Sequence, residues 1–173
     1  MKQLKQFTII GIIFVLIAGS LAHFAYEWSG ENAIMGLFTP VNESIWEHMK
    51  LLFFPMLLYL LVMVIRFREN RLCIASAFCC GILAGTLLIP FLYYIYTAVL
   101  GKDLFILDIA VFVLSILAAF WISYGLSITC GQKAHTLLSV GLVAIFFLCF
   151  IYFTYHPPDL KLFEDPARHS ASS

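Results

Sequence analysis

Five apolar runs constrain this chain more than any other feature. A membrane-spanning helix needs about 20 mostly apolar residues, with roughly 17–25 tolerated. Such runs lie at about residues 7–28, 40–67, 72–98, 104–128 and 134–156. In lipid each segment must satisfy its own backbone hydrogen bonds, so every run predicts a helix. None alternates polar and apolar residues with period two, as a membrane barrel would. The expected fold class is all-α: an integral membrane protein with a five-helix transmembrane bundle. It forms a single domain over residues 1–156, followed by a tail at 157–173. Composition points the same way, because 62% of the 173 residues are hydrophobic and only 12% are charged. That leaves too little polar surface for a soluble globule. Seventeen Phe, eight Tyr and three Trp exclude a disordered chain.

Short basic loops set direction. Lys2 and Lys5 precede the first run, Arg66, Arg68 and Arg71 separate the second from the third, and Lys133 lies before the fifth. All three segments fall on one side of a five-span chain, which places the N-terminus inside and the C-terminal tail outside. The zero net charge then divides unequally. The inner side carries six basic residues and one acid, Glu69; the outer side carries four basic residues and nine acids. An acidic outer end attracts cations, and no nucleic-acid partner is expected. Lys2, Lys5 and Ser20-Leu21-Ala22 also fit a secretory signal with a small-residue cleavage site. The apolar run is long for a signal core, so a retained first span is expected.

The five cysteines, Cys73, Cys79, Cys80, Cys130 and Cys149, lie in or beside the runs without CxxC spacing. They read as small packing residues rather than a disulfide framework. Gly81 and Gly85 form a small-xxx-small face in the third run. Such faces admit a close helix, here expected to be that of a second copy in a homo-oligomer.

Polar residues collect at one end. His23 and Glu27 share a face at the end of the first run. Asn42, Glu43, Ser44, Glu47, His48 and Lys50 open the second. Tyr93, Tyr94 and Tyr96 end the third, and Asp108 stands about one and a half turns inside the fourth. Capping explains part of this, since Thr39-Pro40 suits a helix start and Ser44 with Glu47 suits a capping box if the helix begins later. It does not explain six polar residues within nine positions. Imidazoles and carboxylates at four-residue spacing can hold a divalent metal such as zinc, and the ligand candidates are His23, Glu27, Glu47 and His48. Glu43, Glu47, His48 and Asp108 are the catalytic candidates, as general bases and acids. Asn42, Lys50, Tyr93, Tyr94 and Tyr96 are the candidates for holding a substrate or cation. No HExxH spacing and no nucleophile motif is present. Three function classes follow. The first is a metal-assisted hydrolase or transferase on lipid-linked substrates. The second is a cation- or proton-binding or transport protein. The third is a membrane scaffold whose polar network only orders the bundle.

These residues also carry a resemblance. The stretch His23-Phe24-Ala25-Tyr26-Glu27-Trp28, then Asn42-Glu43-Ser44-Ile45-Trp46-Glu47-His48-Met49-Lys50, and the ending Tyr155-His156-Pro157-Pro158-Asp159 are together similar to one family. It is an uncharacterised family of small multi-pass membrane proteins from Firmicutes and related anaerobes. The resemblance implies a bacterial plasma membrane location and an intact first span. It implies no activity.

Overall fold

The computed structural model describes residues 1–129 and 136–165. Cys130, Lys133, the expected start of the fifth run at Ala134 and the last residues of the tail lie outside them. The described chain is helical throughout, with no strand: α1 (Lys2–Trp28), α2 (Ala33–Gly36), α3 (Ile45–Arg66), α4 (Arg71–Leu100), α5 (Phe105–Ile128) and α6 (Thr136–Phe153). The four long helices α1, α3, α4 and α5 are apolar enough to cross a membrane. The apolar part of α6, Leu137–Phe153, is shorter. Among the described residues, four of the five expected spans are long apolar helices, and the fifth run is described from Thr136 to Phe153. The surface fits a lipid phase: Ile106, Trp121 and Leu137 are 78%, 77% and 86% exposed. Apolar surface on this scale is foreign to a soluble monomer.

α3 is heavily buried: Met49, Leu52, Phe53, Met56, Tyr59 and Met63 lie inside, and the helix packs against both α1 and α4. α1 buries only Gly11, Val15 and Gly19, one stripe at four-residue spacing. Gly19 makes the contact possible, because a Cβ there would stand 2.5 Å from the Leu51 carbonyl oxygen and 2.7 Å from the Phe112 ring.

The small-residue face on α4 meets α5 of the same chain. A Cβ on Gly81 would collide with Ser123 Oγ and the Ala119 carbonyl. One on Gly85 would lie 2.6 Å from Ala119 Cβ and 2.9 Å from the Ser115 carbonyl. Both glycines are buried in that seam. Gly85→Ala is expected to cost about 1–3 kcal/mol by overpacking. Gly125→Ala, with nothing within 4 Å of the added carbon, provides the control. Denaturation midpoints of the two purified variants in one detergent check this, and equal midpoints would refute a tight seam.

Two connections depart from the expected boundaries. The second run does not begin its helix at Pro40. Asn42 Oδ1 accepts from Ser44 N–H at 2.9 Å, and Ser44 Oγ caps Glu47 N–H at 3.4 Å, so α3 starts at Ile45. The released segment contains α2, capped by Asn32 Oδ1, which accepts from Ile34 N–H at 2.9 Å. α4 ends at Gly101, whose φ of 71° is the left-handed cap that glycine takes without strain. Cys79, Cys80 and Cys149 are free thiols, as packing residues would be. Cys73 is disulfide-bonded, which corrects its reading as a simple packing residue.

Candidate functional site

The polar residues of the His/Glu end lie at one level because three helices register there. Gly19, Leu51 and Phe112 touch, and His23, Glu47 and Asp108 each lie one helical turn beyond them on α1, α3 and α5. At this level the candidates divide into three groups.

The first joins His23 on α1, Glu43 in the turn before α3, and His48 on the first turns of α3. One potential ligand atom from each lies within 4.8 Å of the other two. His48 Nε2 is 3.4 Å from Glu43 Oε2, and His23 Nε2 is 4.0 Å from Glu43 Oε1. The two imidazole rings stand 5.3 Å apart, centroid to centroid. All three side chains retain solvent contact. The tautomer of His48 follows from its other nitrogen, because Nδ1 lies 2.9 Å from the Ser44 carbonyl oxygen, which can only accept. Nδ1 therefore carries the hydrogen and donates. In a neutral ring this leaves the lone pair of Nε2 facing a carboxylate oxygen. Two electron-rich atoms at that separation repel unless a proton or a metal cation stands between them. His23 Nδ1 is buried and has no hydrogen-bond partner among the described residues.

The second group is a closed ion pair. Lys50 Nζ donates to Glu47 Oε2 at 2.6 Å, to Thr154 Oγ1 at 2.6 Å and to the Gly36 carbonyl at 3.0 Å. Glu47 Oε2 also accepts from Val41 N–H at 3.0 Å, and Thr154 Oγ1 donates onward to the Phe150 carbonyl at 2.6 Å. Lys50 is 0% and Glu47 2% exposed, so both charges are fully withdrawn from solvent. The pair fastens the α2 segment and the end of α6 onto α3. Glu47, named from sequence as base and ligand, is committed to Lys50, and Lys50 is spent inside the protein.

The third group is Asp108 with Tyr96, whose hydroxyl donates to Asp108 Oδ1. The Tyr93 ring packs on Tyr96 at 5.4 Å and on Tyr94 at 5.8 Å. Glu27 lies exposed on the last turn of α1, apart from the two histidines and Glu43. Asn42 is half-buried and holds the turn before α3. Thr154 was not legible as part of the site; its one signal was an aliphatic hydroxyl where the last apolar helix ends.

Helices of this length and apolarity, meeting in a bundle with histidines and carboxylates clustered at one end, define the class as helical membrane proteins. Within that class the chain belongs to the family of unknown function DUF6512, which it matches over residues 1–170. No curated protein and no solved structure matches it.

Proposed function

We propose that the protein binds a divalent metal, zinc in the first place, through His23, Glu43 and His48 at the outer face of a bacterial plasma membrane. In this reading α6 crosses with the other four long segments, the N-terminus is inside, and the tail is outside. The observation that carries it is the convergence of two imidazoles and one carboxylate from three separate segments, with His48 Nδ1 fixed on a backbone carbonyl and Nε2 directed at Glu43. A hydrogen bond from the non-ligating nitrogen is how metal-binding histidines are oriented. Imidazole and carboxylate suit zinc and related cations.

Three protein ligands leave a fourth position for water or substrate, the arrangement of catalytic zinc sites, where the metal activates water for hydrolysis. Phe24, 47% exposed, and Trp28, 69% exposed, flank the site on α1 and give it an apolar approach. The function this supports best is a metal-assisted hydrolase or transferase acting on lipid-linked substrates.

Zinc content and competition titration in nanodiscs test the metal. One zinc per chain is expected in the wild type. His48→Ala or Glu43→Gln should weaken binding by more than about 100-fold, since loss of a second-shell partner alone costs 10–100-fold. Glu27→Gln should leave affinity unchanged. A wild type without stoichiometric zinc overturns the metal reading. Reporter fusions after Gly30, Asn70, Gly101 and Gln132 test the topology, and an Asn70 fusion that reports outside overturns the outer placement.

A further inference from the structure

Toward the arginine end of the bundle, away from the histidine cluster, a groove of about 590 Å³ runs between α3 and α6 along α4. Its size falls within the roughly 300–1,000 Å³ of ordinary ligand sites. Leu60, Cys79 and Val143 are buried beneath it, whereas Leu61, Ile65 and Leu148 on its rims are 57%, 64% and 64% exposed. The groove therefore opens sideways onto the apolar outer surface. No described lining residue carries a charge or a side-chain oxygen or nitrogen.

One end is closed and the other is basic. The Phe54 and Phe147 rings pack edge to face at 5.7 Å and close the groove between α3 and α6. At the other end stand Arg68, in the turn Arg68–Asn70 that follows α3, and Arg71, the first residue of α4. Arg71, Ala75 and Cys79 share one face of α4 at four-residue spacing, and the latter two line the groove. Arg66 is engaged with α1: it donates to Gln3 Oε1 at 3.1 Å and lies over the Phe7 ring at 5.5 Å. Arg68 and Arg71 are exposed and make no ion pair among the described residues. Three arginines stand here against one acid, Glu69.

From Leu57 to Ile65 the groove follows α3 for about 12 Å, at ~1.5 Å of rise per residue. Half of a hydrocarbon core of about 30 Å is close to that length. One acyl chain entering from the arginines thus runs its course within a single leaflet. Its phosphate then lies level with two guanidinium groups, which bind phosphate oxygens through paired N–H donors. A zwitterionic head group would bring its own ammonium beside the arginines, so a lipid without one is favoured. A second copy of the chain fits less well, because a symmetric pair joined on this face carries Arg68 and Arg71 of both copies to the same end. We propose that this groove holds an anionic phospholipid, with one acyl chain between α3 and α6 and the phosphate on Arg68 and Arg71. The site is separate from the metal ligands and does not depend on a bound metal.

The test uses the full-length protein in nanodiscs of equal parts phosphatidylglycerol and phosphatidylcholine. Native mass spectrometry counts the lipids that stay bound after release. Retention of phosphatidylglycerol over phosphatidylcholine is expected. Arg68→Gln with Arg71→Gln should lower that preference about tenfold, whereas Lys102→Gln with Lys161→Gln, the same charge removed at the other end, should leave it unchanged. Ala144→Phe fills the groove from its exposed α6 wall and should lower retention of both lipids. The proposal is overturned by equal retention of the two lipids, by a preference indifferent to the arginine pair, or by retention indifferent to Ala144→Phe. A disulfide-linked dimer that forms in Ala144→Cys and not in the wild type would also overturn it, by placing a second copy in the groove.

Discussion

Lys50→Met should destabilise the protein by about 3–5 kcal/mol, the usual consequence of removing one partner of a buried ion pair. The substitution leaves Glu47 as an unpaired charge at 2% exposure, and it strips the Gly36 carbonyl and Thr154 Oγ1 of their donor. The loss is large because the pair has no route to water: α3 lies beneath it, the α2 segment above, and the end of α6 at the side. The double variant Glu47→Gln/Lys50→Met removes the stranded charge and should recover part of the stability. Its coupling energy separates the charge from the lost hydrogen bonds. Midpoints of thermal unfolding in one detergent, for the two single variants and the double, read the cycle. A single variant that unfolds with the wild type would show that the network does not hold the bundle.

Trp46→Ala should cost about 3–5 kcal/mol, as truncations of buried large aromatics do. Trp46 is 7% exposed and lies 4.6 Å from Phe150, 4.7 Å from Phe163 and 5.8 Å from Phe153, centroid to centroid. Its ring is therefore the surface on which α6 and the tail both rest. Removing it should loosen the tail before it unfolds the helices. Trypsin then cleaves after the exposed Lys161 faster than in the wild type, while α1, α3, α4 and α5 remain protected. Phe163→Ala should reproduce the faster cleavage with a smaller loss of stability, because it removes one edge of the cluster and leaves its centre. Cleavage at the wild-type rate in Trp46→Ala would mean that the tail is held elsewhere. The two effects are separable: Lys50 fastens Thr154 at the end of α6 through a hydrogen bond, and Trp46 holds Phe153 and Phe163 through ring contacts.

The helices were legible because apolar length is a local property. Runs at 72–98 and 104–128 became α4 at Arg71–Leu100 and α5 at Phe105–Ile128, within a few residues. The start of α3 was less legible, since Thr39-Pro40 and Ser44 with Glu47 are both valid local starts. The hydrogen bond from Ser44 N–H to Asn42 and the reach of Glu47 back to Val41 N–H select the later one. α2 carried too short a pattern to stand out.

The site was legible as a set of residue types at one end of the bundle, and its internal pairing was not. Glu43 and Glu47 lie one turn apart and look interchangeable in sequence. Glu47 is buried against Lys50 because the α2 segment folds over it, whereas Glu43, 56% exposed by side chain, reaches the histidines. Gly81 and Gly85 announced a close helix without saying whose, and α5 of the same chain fills the place.

The sequence alone determined an all-helical chain built for lipid, with its acids and imidazoles gathered at one end. Hydropathy and spacing are summed along the chain and need no partner to be read. Only the tertiary structure decided which carboxylate is consumed by Lys50 and which stands between two imidazoles. That choice depends on segments distant in sequence, Gly36 and Thr154 among them, arriving at the same few ångströms of space.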